Sequence, residues 1–408
     1  MPSAKQRLLI LFSALIIIGF QVGLFFAMQR FQAQKPDFAN LYQAGRKLDH
    51  ERFPSLFMRF PSLDSDAHKL WLNDHEEYPS DTLHPPCEMV IYAALALFKF
   101  RIAYLTWWTC NLAFLFLTAY LLWPHVPKLH NGYPYLLILI ATFFPVLVAL
   151  VQGQNSLMLL LVLTLTFCLL ESGQHFRAGF ILGLGMFKFI LVIPMAFWMI
   201  IDKRWKSLAG FCAGCVVLFF IALWLVGFGG IESYILLLAG FGKNTPEQHG
   251  TQSIMPNLRG LIYAFGDRIA PESVLTIVTL IASLALLVWI DTRLKRYTNT
   301  ALLYSLQLLL AAMISYHFYP HDGAVLVLPF LILLGRALEP GAERSFKIAV
   351  LLCSGCAYLA PFVAGMYVGM PIIGLSSLAL LVIARREALK LSIVSALPAR
   401  PDSINVAS

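Results

Sequence analysis

Residues 151–207 read VQGQNSLMLLLVLTLTFCLLESGQHFRAGFILGLGMFKFILVIPMAFWMIIDKRWKS, and this stretch decides the fold. A polar turn at 152–155 leads into one apolar segment, and a second apolar segment is interrupted by Lys188. Basic residues flank this second segment, at Arg177 on one side and within 202–206 on the other. If both flanks are cytoplasmic, Lys188 is the apex of a hairpin that reaches toward the opposite membrane face. An ammonium in such a run costs a few kcal/mol unless it faces a cavity or an anion, and snorkelling to the interface is the plainer alternative.

The composition of the whole chain is that of a membrane protein. Of its 408 residues, 59% are apolar and 13% are charged, which is more apolar surface than a soluble fold of this length could bury. The first apolar run, 8–28, starts after Lys5 and Arg7 and is too long for the apolar part of a signal peptide. We therefore predict an all-α polytopic membrane protein in which 8–28 remains as a transmembrane helix.

Apolar runs of about 20 residues are long enough to cross a bilayer as helices. Counted this way, residues 1–408 form one transmembrane domain with about twelve helices, although some of the runs are too short to cross alone. The predicted spans are 8–28, 103–123, 134–151, 155–171, 178–187, 189–201, 207–228, 272–290, 298–316, 323–335, 346–364 and 369–384.

The distribution of basic residues predicts the orientation. Lys and Arg gather in the segments that would lie inside, whereas the short outer connections 152–154, 317–322 and 365–368 contain neither. Both termini are then cytoplasmic, including the tail 385–408. The formal net charge of +8 becomes a signature of the cytoplasmic face, and we predict no nucleic-acid partner.

Two predicted outer segments are long, at 29–102 and 229–271. The first contains His84-Pro85-Pro86 followed by an apolar piece, 87–101, that is too short to span before its Lys and Arg. We predict that this piece forms an interfacial helix lying on the membrane. The second opens with the amphipathic stretch 231–241 and continues as a polar loop, and outer loops are where binding residues often occur.

The first outer segment also carries the stretch PDFANLYQAGR, residues 36–46. Its position shortly after the first span places Asp37 at the membrane face, still within reach of water. A carboxylate there can accept a proton from an incoming hydroxyl as a general base. Asp early in a helix also caps free backbone N–H groups, and the sequence leaves both interpretations open.

Polar side chains from distant parts of the chain converge on the predicted outer face. Each group has a plainer alternative, because the turn at 152–155 could be only interfacial, residues 315–322 could be an aromatic belt with a capping Asp, and Arg259 could be a solvated loop charge. Together they predict a site for an anionic substrate, in which Lys188 and Arg259 bind a phosphate and Asp37 is the base, because phosphate in a partly dry site needs fixed cations. The converging side chains are those of Asp37, Gln152, Gln154, Asn155, Lys188, Arg259, His317, Tyr319, His321 and Asp322.

The cysteines lie almost wholly in apolar segments, and the closely spaced ones have no His partner within their helices. We interpret them as packing residues and predict neither a disulfide framework nor a metal site. No phosphate-binding glycine loop is visible, so we predict no cofactor and no sugar nucleotide. The seven are Cys87, Cys110, Cys168, Cys212, Cys215, Cys353 and Cys356.

The chain resembles the membrane glycosyltransferases of family 87, which belong to the GT-C class and use polyprenyl-phosphate sugars. The resemblance rests on PDFANLYQAGR, on the His-Pro-Pro helix, on residues 151–207, on TQSIMPNLRGL and on YPHDGAVLVLP. It implies a GT-C type bundle with outer-face interfacial helices, in a bacterial inner membrane with the active site on the periplasmic side. It also implies transfer of a hexose, with mannose the first candidate, from a polyprenyl-phosphate donor to a lipid- or glycan-linked acceptor.

The resemblance assigns roles residue by residue. Asp37 matches the general base of the family, and Lys188 matches its lysine after the glycine-rich half-helix. A β-linked donor would react with inversion at the anomeric carbon and lose its lipid phosphate to the cations Lys188 and Arg259. The residues predicted to bind substrate are Tyr42, Arg46, His84, Gln152, Gln154, Asn155, His321 and Asp322.

The chain departs from the family's motifs at two places, and the sequence leaves two alternative functions open. Many members have Tyr-Pro-Pro in place of His84-Pro85-Pro86, and Asn in place of Thr251, which leaves the acceptor preference undecided. The first alternative function is a secondary transporter or lipid flippase, because such proteins place interrupted helices at their binding sites. The second is a polymerase or ligase of surface polysaccharide, which would share the lipid-linked substrate.

Overall fold

The computed structural model describes residues 19, 37–52, 84–126, 133–244, 251–291 and 299–396. These residues form helices joined by short turns, with no strand among them. Short 3₁₀ helices at Trp123–His125, Gly185–Lys188, Gln252–Ile254 and Asp322–Leu326 connect some of the α-helices. The α-helices are α1 (Asp37–Arg52), α2 (Pro86–Ala96), α3 (Phe100–Leu122), α4 (Tyr133–Ala141), α5 (Phe144–Gln152), α6 (Ser156–Glu171), α7 (His175–Leu184), α8 (Phe189–Ile201), α9 (Trp205–Asn244), α10 (Leu258–Gly266), α11 (Glu272–Asp291), α12 (Thr300–Ile314), α13 (Val327–Ala337) and α14 (Arg344–Ala396).

Five helical segments of the described residues are long and apolar enough to cross a membrane, and a sixth is added if the bent pair α4–α5 is one span. This confirms a polytopic membrane protein, whereas the count of about twelve spans stays a prediction. The predicted span 8–28 lies outside the described residues, apart from Gly19. The five segments are Phe100–His125, His175–Ile201, Trp205–Leu236, Glu272–Ile290 and Arg344–Leu391.

The longest helix, α14, folds back on itself. Gly365 adopts a left-handed φ of 74°, which only glycine reaches at little cost. Lys390 near its end bonds to Glu343, which directly precedes its start, although 47 residues separate them. A straight helix of that length would hold these side chains roughly 70 Å apart. The two arms are therefore antiparallel, as the separate predicted spans 346–364 and 369–384 require.

The segment His175–Ile201 also folds back, although its 27 residues would suffice for one span. A Cβ atom added at Gly179 would lie 1.8 Å from the Ser207 carbonyl oxygen, and one added at Gly183 would lie 2.4 Å from that of Phe211. The start of α7 therefore lies beside the start of α9, and the two helices run parallel in close contact. Because α8 ends one short turn before α9 begins, it must run back toward the level at which α7 and α9 start.

This geometry confirms the predicted hairpin with Lys188 at its apex. The 3₁₀ turn Gly185–Lys188 joins the two arms, and Lys188 has a non-helical backbone with φ −115° and ψ 57°. The arms contain 10 and 13 residues, so neither is long enough to cross a bilayer by itself. The ammonium is thereby carried to the level of the α6 N-terminus.

An aromatic cluster holds α1 against the bundle. Phe38 of α1 is fully buried and its ring lies 5.3 Å from that of Tyr104 in α3. Tyr104 Oη donates to the Val151 carbonyl at 2.6 Å, and Trp107 Nε1 donates to the Gly153 carbonyl at 2.7 Å. The polar turn after α5 is thus held by α3 and covered by α1.

Two further predictions, on the stretch 87–101 and on the cysteines, have different outcomes. The stretch expected as an interfacial helix does form α2, while its position relative to the membrane stays a prediction. The seven cysteines are free thiols. Cys212 and Cys356 are exposed on the surface of this chain, so the interpretation of these two as packing residues is wrong.

Candidate functional site

The N-terminus of α6 is the centre of the candidate site. Three consecutive side chains there each donate a hydrogen bond to a different carboxylate. Gln154 Nε2 donates to Asp37 Oδ2 at 2.8 Å, Asn155 Nδ2 donates to Glu88 Oε1, and Ser156 Oγ donates to Asp322 Oδ1 at 3.1 Å. A helix N-terminus favours negative charge, so it stabilises this gathering of acids.

The turn before α6 needs its glycine. Gly153 has a φ of +65°, in the left-handed region where side chains are strained, and it ends α5. A Cβ atom at this position would also lie 2.8 Å from the Cβ of Phe38. This close approach brings the start of α1, and with it Asp37, against the donors of the turn.

Asp37 is the first residue of α1 and the most accessible charged group of the site. Its side chain is 37% exposed, compared with 18% for Lys188 and 10% for Asp322. Its Oδ2 accepts the bond from Gln154 and lies 3.9 Å from His321 Nδ1. The carboxylate therefore makes a tertiary contact and still reaches solvent, as a base for an incoming hydroxyl must.

His321 lies between two carboxylates. Its Nδ1 donates to Gln152 Oε1 at 2.9 Å, and its Nε2 lies 3.5 Å from Asp322 Oδ2. Burial lowers the pKa of His321, and the nearby Lys188 cation acts in the same direction against the opposing effect of Asp322 and Asp37. The neutral ring is thus favoured near pH 7.

Asp322 joins the histidine to the lysine. Its Oδ1 accepts from Lys188 Nζ at 2.8 Å, and its Oδ2 accepts from the backbone N–H of Tyr319 at 3.2 Å. Burial by itself would raise the pKa of Asp322, but the Lys188 ammonium and His321 outweigh it and lower that pKa to about 2. The side chains of Asp37, His321, Asp322 and Lys188 therefore form one continuous row.

Glu88 is a member of this site that the sequence did not reveal. It lies in α2, is 2% exposed, and accepts from Asn155 on one oxygen and from His84 Nδ1 at 2.9 Å on the other. Its only signal in the sequence was an acidic residue in the first turn of an otherwise apolar helix. A buried charge is costly unless it is paired, so that position could have been selected.

Arg259 has a different setting from Lys188. It is 1% exposed, its guanidinium lies 3.9 Å from the centre of the Tyr316 ring, and Nη1 donates to the Tyr316 carbonyl at 3.3 Å. The alternative of a solvated loop charge is therefore wrong. A row of rings at Tyr316, His317, Tyr319 and His321 connects it to the site, with neighbouring centroids 4.9 to 6.1 Å apart. Its role as a phosphate ligand stays a prediction.

Tyr42 and Arg46 lie on α1 beyond Asp37. Tyr42 is 2% exposed, packs against Phe100, and donates its hydroxyl to the Phe98 carbonyl at 2.7 Å. A side-chain hydrogen bond also joins Tyr42 to Arg46. These contacts give Tyr42 a place in the aromatic cluster, and substrate binding by the two residues stays a prediction.

The site combines an accessible carboxylate, that of Asp37, with a row of largely buried polar and charged side chains. This arrangement suits the abstraction of a proton next to a bound anionic group. Within the described part of the chain, no group of three or more His, Cys, Asp or Glu side chains could hold a metal ion. That the protein works without a metal stays a prediction from the sequence.

Stability should fall in mild acid because of His321. A histidine whose pKa is lowered on folding stabilises the protein fully above the unfolded value of about 6.5, and this contribution is lost as pH falls through the folded pKa. Wild-type protein should therefore show a lower thermal midpoint at pH 5.5 than at pH 7.5, and His321→Gln a smaller difference. Gln can still donate to Gln152. The exposed His175→Gln is the control, and an equal pH dependence in all three proteins would contradict the assignment.

Comparison with known proteins identifies the family. The family model described as Glycosyltransferase family 87 matches residues 83–329, more than half of the chain. The matched region contains α2, the turn before α6, the Lys188 hairpin and the His321-Asp322 pair, whereas Asp37 precedes it. Comparison with curated proteins and with solved structures finds no match. The chain belongs to glycosyltransferase family 87 and is a membrane glycosyltransferase.

Proposed function

We propose that this enzyme transfers a hexose, with mannose the first candidate, from a polyprenyl-phosphate sugar to a lipid- or glycan-linked acceptor on the outer face of the membrane. The whole chain would act as one GT-C type domain. The observation that carries the proposal is the row from Asp37 through His321 and Asp322 to Lys188, which joins a reachable carboxylate to a partly buried cation.

Asp37 is the proposed general base. Its exposed side chain can meet the acceptor hydroxyl, and the bond from Gln154 fixes its orientation. As the acceptor oxygen attacks the anomeric carbon, its proton passes to the carboxylate. General-base assistance of this kind contributes roughly 10²–10⁴ to a rate.

Lys188 is the proposed ligand of the donor phosphate. Its bond to Asp322 uses one of the three N–H donors of the ammonium, so two remain for phosphate oxygens. When the bond from the anomeric carbon to the phosphate oxygen breaks, the leaving lipid phosphate gains negative charge. A fixed ammonium then binds it more strongly than before, which is the differential binding that catalysis needs.

Inversion follows if attack and departure occur in one displacement. The acceptor oxygen forms its bond to the anomeric carbon on the face opposite the phosphate, so a β-linked donor gives an α-glycoside. The base and the cation lie at opposite ends of the row, separated by the His321 ring and the Asp322 carboxylate, so the sugar would lie over these two side chains.

Purified protein in detergent, supplied with a polyprenyl-phosphate [¹⁴C]mannose and a membrane lipid extract, tests the proposal. Labelled glycolipid with α linkage is the expected product. A lipid phosphate sugar that is bound but never consumed, across mannose, glucose and galactose donors, would overturn it.

Transport of a lipid-linked sugar is the second candidate, because the hairpin at Lys188 resembles the interrupted helices of carriers. Membership of a glycosyltransferase family argues against it. The same assay decides between them, since a carrier in detergent would form no new glycoside.

The proposed orientation can be tested at two exposed basic residues. In a cysteine-free background, Arg268→Cys should react with a membrane-impermeant maleimide added to intact cells. Lys203→Cys should react only after the membrane is opened. Both side chains are exposed, so accessibility within the protein is matched. The reverse pattern would place the candidate site on the cytoplasmic side.

A further inference from the structure

Asn257 is a fully buried polar residue that the mechanism above does not use. It is the N-cap of α10, where its Oδ1 accepts from the Gly260 backbone N–H at 2.9 Å. Its Nδ2 donates to the Ser315 carbonyl at 2.6 Å, although 58 positions separate the two residues in the sequence. A cap needs only the side-chain oxygen. The amide nitrogen therefore makes a tertiary contact that capping does not require.

The Ser315 carbonyl lies at the start of the non-helical segment 315–321. Here α12 ends, and Ser315 has the extended backbone angles φ −62° and ψ 127°. The last carbonyls of a helix have no partner within the helix, so a buried one needs a partner from elsewhere. Asn257 supplies it, and the next carbonyl, that of Tyr316, accepts from Arg259 Nη1 at 3.3 Å. The start of α10 thus holds two consecutive carbonyls of the segment.

The other end of the segment carries the centre of the candidate site. The segment ends at His321, which lies 3.9 Å from Asp37, and the next residue, Asp322, bonds to Lys188. The Tyr319 N–H donates to Asp322 Oδ2, and the Asp322 N–H donates to the Tyr319 carbonyl at 2.9 Å. These two bonds tie Asp322 to the segment. A shift of the segment would therefore move His321 and Asp322 together.

The start of α10 is itself wedged into the bundle. A Cβ atom added at Gly323, directly after the row, would lie 3.1 Å from Pro256 Cγ. One added at Gly374 in the second arm of α14 would lie 3.2 Å from the Asn257 backbone nitrogen. These close approaches leave the backbone at Asn257 little freedom to move. Its side chain can therefore act as a fixed point for the segment.

We propose that Asn257 is a positioning residue for the transfer reaction, whose amide holds the Ser315 carbonyl and thereby keeps His321 and Asp322 in line between the base and the cation. Its effect on turnover rests on the proposed function. Its effect on the geometry of the row does not, so the two can be tested apart.

Two variants retain the cap and lose the amide donor. Ser and Asp cap a helix about as well as Asn, so Asn257→Ser and Asn257→Asp should both leave α10 intact. Each should transfer sugar at least about tenfold more slowly, because a displacement of about 1 Å in a positioned group can cost about 10²-fold in rate. The matched controls are Asn299→Ser and Asn299→Asp, since Asn299 caps α12 through a bond of the same length, 2.9 Å, from the Leu302 N–H. They should retain normal turnover.

Tyr304→Phe controls for the loss of a buried bond to a carbonyl. The Tyr304 hydroxyl donates to the Leu163 carbonyl at 2.7 Å, two turns into α6 from its start. This variant should lower the thermal midpoint as Asn257→Ser does, with little effect on turnover. Equal losses of turnover in the two variants at equal thermal midpoints would assign Asn257 to stability alone and overturn the inference.

A measurement without turnover follows the row directly. In ¹⁵N-histidine-labelled protein, the signal assigned through His321→Gln should titrate below the ordinary pKa of about 6.5, because burial lowers the pKa of this ring. In Asn257→Ser, the loosened ring should titrate closer to the ordinary value. Asn299→Ser and Tyr304→Phe should titrate like wild type. The charged groups that act on the ring are the same in all four proteins, namely Asp37, His84, Lys188 and Asp322.

The outcomes separate this inference from the proposed function. An unchanged titration of His321 in Asn257→Ser would overturn the positioning role, whether or not any sugar is transferred. Failure of both Asn257 variants to fold would also overturn it, by making the residue one of folding alone. The expected change in titration, with no sugar transfer by wild-type protein, would instead contradict the proposed function and leave the link between α10 and the row in place.

Discussion

Asp37→Asn protein is expected to fold, bind the polyprenyl-phosphate donor and transfer its sugar roughly 10²–10⁴-fold more slowly than wild type. The amide oxygen of Asn can accept the bond that Gln154 now donates to Asp37, and Asn is as good a residue as Asp near a helix start. Only a base requires the negative charge. The two interpretations left open by the sequence therefore predict different turnover at similar stability.

The measurement is single-turnover transfer at saturating donor, with the thermal midpoint determined on the same preparation. Asp267→Asn, at the exposed end of α10, is the matched control and should retain normal activity. Near-normal turnover by Asp37→Asn would remove it from the mechanism and make His321 the next candidate, because its ring lies between Asp37 and Asp322. An unfolded variant would be recognised by its thermal midpoint.

The sequence was sufficient for the local features of this fold. Apolar runs and their basic flanks predicted the helices and the hairpin, because period, length and charge act over a few turns. Lys188 could be selected because a cation inside an apolar run needs a compensating environment. The polar turn at 152–155 could be selected in a similar way, because its polar residues interrupt two apolar runs.

The partners of these residues could not be predicted. Gln154 and Asp37 are 117 residues apart, and Lys188 and Asp322 are 134 apart, so which acid meets which donor depends on how the helices pack. The sequence required a cavity or an anion beside Lys188, and the structure places the Asp322 carboxylate 2.8 Å from it. Glu88 was missed because its helix was interpreted only as apolar surface.

The partner of Lys188 changes what its removal should do. A lysine that faced only a cavity would contribute little to stability. Lys188 is instead bonded to Asp322, with 18% and 10% of the side chains exposed. Removing one member of such a buried pair leaves the other charge unpaired, which costs about 3–5 kcal/mol.

Lys188→Met should therefore lower both stability and donor use, and adding Asp322→Asn should restore much of the stability without restoring activity. The amide oxygen that Asp322→Asn introduces can still accept from Ser156 or from the Tyr319 N–H, while the unpaired charge is gone. The two effects of the lysine, one on folding and one on phosphate, are separated by this double variant.

Thermal midpoints and donor binding, measured on Lys188→Met, the double variant and the exposed control Lys206→Met, complete the test. Donor affinity should fall at least about tenfold in the first two, because a charge-assisted bond to phosphate contributes about 1.5–3 kcal/mol. If the stable double variant bound donor and transferred sugar like wild type, the phosphate would have to bind elsewhere, and Arg259 would be the first cation to examine. Loss of donor binding in a protein that is otherwise stable would assign the phosphate to the apex of the hairpin.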